Sequence, residues 1–393
     1  MIGWLGFLIS LVVMVLLGRK NLWLAFFTGA TLLALCNLNA AEMVLSLANT
    51  FANTGIMLLA LAVGLIPLIG GSLENSGLME RMIGNLKISR KSFLIFAPAL
   101  LGMLPMPGGA LLSAPLVKRA GSDITPEQYV AINVWYRHAL ILIYPLGALL
   151  VTTKLAGVGL YTAMLYLLPG FALMVLLGWL FLLRGISGKL NHGGDARFAR
   201  TLPAFAVLAT APLLHLLLMP FFPDLPEIAL LIGVLTSLLL NGLIAPMDRS
   251  SWLSAIKRMK PWNYFLIVAA MFWYLHVFEL SHVSELIAKL VFSQSFLVVV
   301  IAAFLGFFTG RTQMPFSILV PIYTSRFGMG ISYPAFAIMF FSIYMGYIIS
   351  PIHPCVCVSL EYFKSPMRLF MKNVVPLVLI CLLFAFLAAQ VLL

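Results

Sequence analysis

The chain has 393 residues, of which 62% are hydrophobic and only 9% are charged. Its mean hydropathy of +1.08 is typical of an integral membrane protein. At about 20 apolar residues per membrane-spanning helix, the length allows about ten to twelve crossings and excludes a large extramembrane catalytic or nucleic-acid-binding domain. The net charge of +12 is therefore interpreted as basic loops held on the cytoplasmic side of a membrane.

The first apolar run predicts a transmembrane helix with its N-terminus outside, because Arg19 and Lys20 follow the run and no signal-peptide cleavage site is evident. Two amphipathic stretches, 41–53 and 249–260, predict helices on the membrane surface. Uninterrupted apolar runs predict ordinary spans at 2–18, 21–39, 55–73, 158–183, 201–219, 227–245, 262–278 and 373–393.

Two other hydrophobic stretches contain Pro and Gly at positions that interrupt a simple helix. We interpret each as a re-entrant hairpin followed by a broken span that crosses once, so that the chain makes ten crossings. This topology leaves both termini extracytoplasmic and places nineteen Lys and Arg residues inside and three outside, a bias typical of a multi-pass protein of a prokaryotic inner membrane. The hairpins are predicted at 92–117 and 295–324, and the broken spans at 126–154 and 333–361.

The two halves of the chain repeat the same order of predicted elements. The motif Ser-Phe-Leu, for example, occurs at 92–94 and again at 295–297. We therefore divide the chain into two repeats, 1–198 and 199–393, each with five crossings. Because five is an odd number, the second repeat is expected to be inverted relative to the first. Inverted repeats with discontinuous helices are typical of secondary transporters that bind substrate near the middle of the membrane.

The two hairpin tips are the first candidate binding elements. In the tip Pro105 to Ala110, two prolines and two glycines force a turn, after which the free N–H groups of the restarting helix favour an anion; the alternative is a simple chain reversal. The tip Thr309 to Ser317 brings Arg311 to membrane depth, where a guanidinium either binds a carboxylate or phosphate or pairs with a glutamate or carbonyl groups. The predicted substrate-binding residues are Gly108, Gly109, Ala110, Arg137, Arg311, Thr312, Gln313, Ser317 and His353.

The two broken spans are interrupted at Tyr144-Pro145 and at Ser350-Pro351. Carbonyl groups freed before a helix-interrupting proline are good ligands for Na⁺. Arg137 shares a helical face with Tyr144, so it either faces the same cavity or forms an internal ion pair. The predicted cation-binding residues are Pro107, Tyr144, Thr309 and Ser350.

Three residues are candidate proton carriers: His138, His353 and Glu279. An imidazole titrates near neutrality, but a histidine in such a place is more often a satisfied hydrogen-bonding residue. Glu279 is alternatively a solvated or hinge-supporting residue at the end of a span. Cys355 and Cys357 are expected to pack rather than bind metal, because residues two apart point to different helix faces. The sequence contains no ATP-binding phosphate loop and no zinc or paired-aspartate motif, so no enzyme, catalytic residue, cofactor or bound metal is predicted.

These hairpins and broken spans resemble those of the ion transporter superfamily, which includes divalent-anion/sodium symporters, gluconate and citrate permeases and Na⁺/H⁺ antiporters. The resemblance covers essentially the whole chain, and the Met-Pro-Gly-Gly tip is similar to that of a prokaryotic ten-span branch. It implies that a transport domain, made of the hairpins, the broken spans and the spans after them, moves against a scaffold, often in a homodimer. The linkers 77–91 and 282–294 would be the arms. The Ser-Asn-Thr tip triplets of the symporters are replaced here by Pro107-Gly108-Gly109 and Arg311-Thr312-Gln313.

The sequence thus predicts an all-α polytopic membrane protein that transports a small anion, with an organic anion favoured. Elevator-type movement of one domain, driven by Na⁺ or H⁺, is the expected mechanism. Its partners are the anion, the lipid bilayer and a second copy of the chain, and no nucleic acid. The alternatives are a Na⁺/H⁺ antiporter, a carrier of a lipid-linked anion, and the membrane subunit of a larger transport or sensor complex.

Overall fold

All regular secondary structure is helical in the residues that a computed structural model describes, with no strand among them. These residues are 2–18, 20–86, 88–103, 109–120, 123–188, 197–281, 283–289, 291–328 and 330–393. The helices of the first half are α1 Ile2–Gly18, α2 Leu22–Asn37, α3 Ala40–Ala52, α4 Thr54–Asn75, α5 Leu78–Gly84, α6 Arg90–Gly102, α7 Gly109–Lys118, α8 Pro126–Ile143, α9 Ala148–Ala156 and α10 Leu160–Leu177, which a π-helical turn extends to Leu182.

The second half follows the same order of long and short helices. Its π-helical turn, Phe296–Ile301, comes before the first arm of the hairpin instead of after the last span. The helices are α11 Leu202–Leu218, α12 Glu227–Ile244, α13 Arg249–Met259, α14 Pro261–Leu280, α15 Val283–Ala288, α16 Ala302–Thr309, α17 Gln313–Phe327, α18 Tyr333–Ile348, α19 Pro354–Phe363 and α20 Met367–Leu392.

Six helices in the described ranges are long and apolar enough to cross a membrane, and a seventh span results if α8 and α9, bent by 42° at their break, count as one. This confirms the prediction of an all-α polytopic membrane protein. α1, α2, α18 and α19 are apolar but shorter, so the ten crossings stay a prediction. The six are Thr54–Asn75, Leu160–Leu182, Phe198–Phe221, Glu227–Ile244, Arg249–Leu280 and Met367–Leu392.

The two amphipathic helices, α3 and α13, begin at side-chain caps. Asn39 accepts the backbone N–H of Glu42 while the Glu42 carboxylate accepts the N–H of Asn39, each at 2.9 Å. Asp248 accepts the N–H of Ser251 at 3.0 Å. Such caps satisfy N–H groups that have no partner within the helix. Lys260 then adopts a left-handed conformation (φ 48°), which separates α13 from the long span α14.

The helices pack as two groups. In the eight-helix bundle (α1–α4 and α11–α14), α14 packs against α2 and α4, and the buried Trp273 indole donates to Ser46 Oγ at 3.1 Å. In the ten-helix bundle (α6–α10 and α16–α20), α8 and α18 are the central helices, and the buried Trp135 indole donates to the carbonyl of Met174 at 2.8 Å. The short helices α5 and α15 lie in the linkers between the groups.

The hairpins and the broken spans approach each other closely at two glycines. A Cβ atom at Gly102 of α6 would collide with the carbonyl oxygen of Arg137 in α8. At the matching place in the second half, a Cβ atom at Gly306 of α16 would collide with the carbonyl oxygen of Ile343 in α18. Only glycine allows backbones to pack this closely. Each hairpin arm is therefore pressed directly onto the broken span of its own half.

The two bundles also touch through polar side chains. Lys154 of α9 forms an ion pair with Glu227 of α12, and the Glu227 side chain is only 5% exposed whereas that of Lys154 is 41% exposed. Next to this pair, the Tyr161 hydroxyl of α10 lies 2.9 Å from His215 Nδ1 of α11. A cavity of about 180 Å³ separates the helices here, and these four residues belong to its wall.

Candidate functional site

The second hairpin tip packs on the second helix break. α16 ends at Gly310, whose left-handed conformation (φ 59°) turns the chain, and a Cβ atom there would lie 2.7 Å from the side chain of Ile352 and 3.2 Å from Ser350 Oγ. Thr309 Oγ1 donates to the carbonyl of Leu305 at 2.7 Å and accepts the N–H of Arg311 at 3.3 Å. These contacts fix the tip against the break.

The second break is a short turn between α18 and α19. Ser350 N–H donates to the carbonyl of Tyr347 at 3.2 Å, and His353 N–H donates to the carbonyl of Ser350 at 3.1 Å. The side chains of Ser350 and His353 are completely buried. Pro354 then starts α19, and its missing N–H suits the first position of a helix.

Two helix N-termini meet in this region, since α17 begins beside the tip and α19 begins at the break. The side chains of the residues that precede them, Thr312 and His353, accept no hydrogen bond from a backbone N–H of the helix that follows. The N–H groups of Gln313 and Met314 at the start of α17, that of Cys355 at the start of α19, and the partial positive charge of both helix ends are therefore available to an anion; the N–H groups of Val356 and Cys357 already donate to the carbonyl of His353. Gln313, the first residue of α17, is half-buried, and its side-chain oxygen accepts from Thr312 Oγ1 at 3.3 Å.

Arg311 carries the positive charge of the tip. It is half-buried, and in the described part of the chain no residue forms an ion pair or a side-chain hydrogen bond with its guanidinium. It is close enough to Tyr264 of α14 and to His353 to interact with both electrostatically. Arg311 thus lies between the break in the ten-helix bundle and the eight-helix bundle.

The first broken span supplies Arg137 and His138, which are 3% and 1% exposed. The His138 ring lies edge-on to the His353 ring, with centroids 4.7 Å apart, and His353 in turn stacks on Tyr347 at 3.8 Å. Arg137 is also within electrostatic range of His353. The structure therefore brings the predicted residues Arg137, His138, Arg311 and His353 into one region at the centre of the ten-helix bundle.

Other predicted site residues lie elsewhere or have local roles. Ser317 is buried within α17 and donates to the carbonyl of Met314 at 2.8 Å. Tyr144 is buried at the end of α8, and its backbone N–H donates to the carbonyl of Ile141. Glu279 is exposed at the end of α14, in the other bundle.

The first tip is described only in part. The predicted residues Pro107 and Gly108 lie outside the described residues. Gly109 begins α7. Ala110 is buried, and its carbonyl accepts the hydroxyl of Ser113 at 3.2 Å.

Three residues of the central region were not predicted from the sequence to belong to a site. Tyr344 and Tyr347 flank the two histidines, with ring centroids 6.0 Å and 5.4 Å from that of His138. Cys355 was predicted to pack, but its sulfur and one ring nitrogen each of His138 and His353 lie within 4.8 Å of one another. The internal repeat could have identified Tyr344 from the sequence. An offset of 206 residues relates His138 to Tyr344, which lies close to the second break.

Comparison with known proteins supplies a family and a fold. Residues 3–392 match the family described as "Protein of unknown function (DUF401)", and the chain belongs to this family. No curated protein matches the chain. The fold is similar to that of the Alcanivorax borkumensis YdaH transporter, whose structure was described as revealing an unusual topology. The similarity has a TM-score of 0.61 at 17% identity and covers 94% of this chain and 96% of that chain.

Proposed function

We propose that this member of the DUF401 family is a secondary active transporter of a small anion, with an organic anion favoured, and that Arg311 is the main anion-binding residue. In this proposal the two halves are inverted repeats, and the ten-helix bundle carries the anion across an inner membrane by moving against the eight-helix bundle. A gradient of Na⁺ or H⁺ drives the movement, and two copies of the chain form a homodimer.

The single observation that carries the proposal is the environment of Arg311. A charged side chain within a membrane segment is costly and usually pairs with another group or lines a substrate pathway. The three ion pairs among the described residues, Arg90–Asp123, Lys154–Glu227 and Arg258–Glu74, leave Arg311 without an acidic partner. An anionic substrate supplies that partner, and the planar guanidinium fits a carboxylate through two parallel hydrogen bonds.

The helix ends beside Arg311 support the same assignment. α17 and α19 both begin without a side-chain cap. Among the described residues, the N–H groups of Gln313 and Met314 in α17 and of Cys355 in α19 have no backbone acceptor. Discontinuous helices that point their N-termini at an anionic group are a recurring device of secondary transporters. Thr309 and Thr312, both buried, add hydroxyl groups at the same tip.

The division into two bundles supports a moving-domain mechanism. Both hairpins and both broken spans belong to the ten-helix bundle, and α5 and α15 are short connections to the other bundle. Close packing at Gly102 and Gly306 holds each hairpin to its broken span, so the site moves as one body. The fold shared with a solved transporter structure favours transport over a sensor role.

The coupling ion has candidates in the same region. The carbonyl groups near Ser350 and Tyr144 are candidate Na⁺ ligands, and the neighbouring rings of His138 and His353 are candidate proton carriers. Because the histidines lie beside the tip, a proton bound there would alter the charge next to the anion. A Na⁺/H⁺ antiporter, in which Arg311 is structural, is the competing function.

Thermal-shift measurements on the purified protein test the proposal. A panel of acetate, succinate, citrate, gluconate and phosphate is scanned with and without Na⁺ at several pH values. An anion present at about 100 times its Kd adds roughly 2.7 kcal/mol of stability, which raises the Tm. We expect Arg311→Gln to abolish the anion-dependent shift and Arg311→Lys to keep only part of it, because lysine retains the charge without the bidentate geometry.

Arg326→Gln is the matched control, since Arg326 lies at the far end of α17, the helix that follows Arg311, and against the Phe327 ring. It should keep the full anion-dependent shift. An unchanged shift in Arg311→Gln would remove Arg311 from the site. Shifts with Na⁺ or pH alone, together with acidification of proteoliposomes on adding Na⁺, would favour the antiporter.

A further inference from the structure

We propose that His138, His353 and Cys355 form a binding site for a soft monovalent metal cation, Cu⁺, between the two halves of the chain. His138 comes from α8 in the first half, whereas His353 and Cys355 come from the break and the start of α19 in the second half. These residues lie beside the proposed anion site, and His353 is also among the predicted substrate-binding residues, but binding of the metal does not depend on transport.

The three ligand groups are already near one another. One ring nitrogen of each histidine and the Cys355 sulfur lie within 4.8 Å of one another. With metal–nitrogen bonds of about 2.0 Å and metal–sulfur bonds of about 2.3 Å, the ligand atoms of a three-coordinate site are about 3.5–3.7 Å apart. The limit of 4.8 Å exceeds this spacing by only about 1 Å, a difference within the reach of side-chain movement.

Both imidazoles are oriented as metal ligands usually are. His138 Nδ1 lies 2.6 Å from the carbonyl oxygen of Val134, and His353 Nδ1 lies 3.1 Å from that of Tyr347. A carbonyl oxygen only accepts, so each Nδ1 carries the proton and each Nε2 keeps its lone pair. A hydrogen bond from the second ring nitrogen to a backbone carbonyl is the common outer-shell arrangement of metal-binding histidines.

His353 provides the independent sign of a missing ligand. Its Nε2 atom is buried and has no hydrogen-bond partner among the residues that the structure describes, and the residue as a whole is 0% exposed. A buried polar atom without a partner costs stability. The Tyr347 ring, stacked 3.8 Å away, holds the imidazole in this orientation. A metal ion would satisfy the Nε2 lone pair.

Charge selects a monovalent ion. Two neutral imidazoles and a thiolate soft enough for Cu⁺ give a site with one negative charge once the thiol proton has left to water. Arg137 and Arg311 are both within electrostatic range of His353, and the three-residue cluster contains no carboxylate. A divalent ion would leave an uncompensated charge beside two guanidinium groups, whereas Cu⁺ leaves a neutral site.

Anaerobic competition with the chromogenic chelator bicinchoninate measures Cu⁺ binding to the purified full-length protein. We expect the wild type to retain one Cu⁺ that Cys355→Ser and His353→Gln lose. Cys357→Ser is the matched control, because Cys357 is exposed and lies outside the cluster. Its thiol donates a hydrogen bond to the carbonyl of Pro351. X-ray absorption of the bound copper should show nitrogen and sulfur ligands together.

Three results would overturn the proposal. They are equal Cu⁺ retention by the wild type and Cys355→Ser, a copper spectrum with sulfur ligands alone, and displacement of Cu⁺ by an equal concentration of Zn²⁺. If Cys355→Ser does not fold, His138→Gln replaces it, since that change also removes one ligand and is expected to release the same Cu⁺. Loss of Cu⁺ in Cys355→Ser with intact anion-dependent stabilisation separates this proposal from the transport proposal, because the Cys355 side chain has no part in the latter.

Discussion

The Tyr344 hydroxyl donates a 2.9 Å hydrogen bond to the backbone carbonyl oxygen of His138. The two residues are 206 positions apart, the same offset that relates Pro145 to Pro351. A bond between matching positions of two halves is the arrangement expected where a pseudo-twofold axis passes between α8 and α18. The bond joins the two broken spans at the level of the candidate site.

Removing this bond should weaken the protein slightly. We expect Tyr344→Phe to lower the free energy of unfolding by about 1 kcal/mol, the usual net value of one hydrogen bond. The aromatic ring remains, so its contacts with Phe340 and Tyr347 are kept. Scanning fluorimetry in detergent measures the resulting fall in Tm. Tyr362→Phe is the control, because the half-buried Tyr362 has no hydrogen bond from its hydroxyl within the described ranges, and an equal fall in both variants would contradict the prediction.

Gly306→Ala should disrupt the contact between the second hairpin and its broken span. The added methyl group meets the carbonyl oxygen of Ile343, which is backbone and cannot rotate away. Overpacking of this kind costs about 1–3 kcal/mol. The Tm should fall accordingly. Gly84→Ala is the matched control, since a Cβ atom at Gly84 has nothing within 4 Å. Comparable Tm values for the two variants would show that α16 and α18 separate freely.

The ion pair between the bundles should respond differently to the loss of each partner. Lys154→Gln leaves the Glu227 carboxylate, which is 5% exposed, without its cation, and this should cost about 1–3 kcal/mol. Glu227→Gln leaves Lys154 without its partner, but Lys154 is 41% exposed and can be hydrated. The free energy of unfolding should therefore fall by less than about 1 kcal/mol. Thermal melts of both variants and of the double variant test this order. A larger loss in Glu227→Gln would reverse the argument.

Acid should remove a contribution of Asp123 to stability. The hydrogen bond from the Arg90 guanidinium holds the pKa of the Asp123 carboxyl below its ordinary value of 3.8. A carboxyl with a depressed folded-state pKa stabilises the protein above its unfolded pKa, and the contribution disappears as the pH falls through the folded-state value. The Tm difference between the wild type and Asp123→Asn should therefore be constant above about pH 5 and shrink below it.

Asp224→Asn is the control for this pH series. Asp224 is exposed and forms no ion pair with any residue that the structure describes. Its Tm difference from the wild type should stay small at every pH. A constant difference for Asp123→Asn from pH 7 to pH 3 would show that Arg90 does not stabilise the charged carboxyl.

The positions of the helices followed well from the sequence, because apolar run length and Pro or Gly interruptions are local properties. The break after Ile143 lies at Tyr144-Pro145, as predicted, and α13 separates from α14 at the basic end of the amphipathic stretch. The start of α20 was not predicted correctly from the sequence. The apolar run begins at 373, but the helix begins at Met367, since Arg368 and Lys372 are good helix formers that carry no apolar signal.

Only part of the candidate site could be predicted from the sequence. Arg311 and His353 were identified because a charged or titratable residue beside a helix break is visible in one segment. The proximity of Cys355 to His138 depends on how α19 packs against α8, which no local pattern reveals. The predicted substrate-binding role of Ser317 stays a prediction; its hydroxyl donates to the helix backbone, as serine within a helix commonly does.

Each bundle contains one fully buried tryptophan whose indole N–H is bonded internally, Trp135 in the ten-helix bundle and Trp273 in the eight-helix bundle. An indole shielded from water emits at shorter wavelength than an exposed one. The two bundles therefore contain separate intrinsic fluorophores, and single-tryptophan variants can report whether the bundles loosen together or one at a time. Cooperative loss of both signals would mean that the two bundles unfold as one unit.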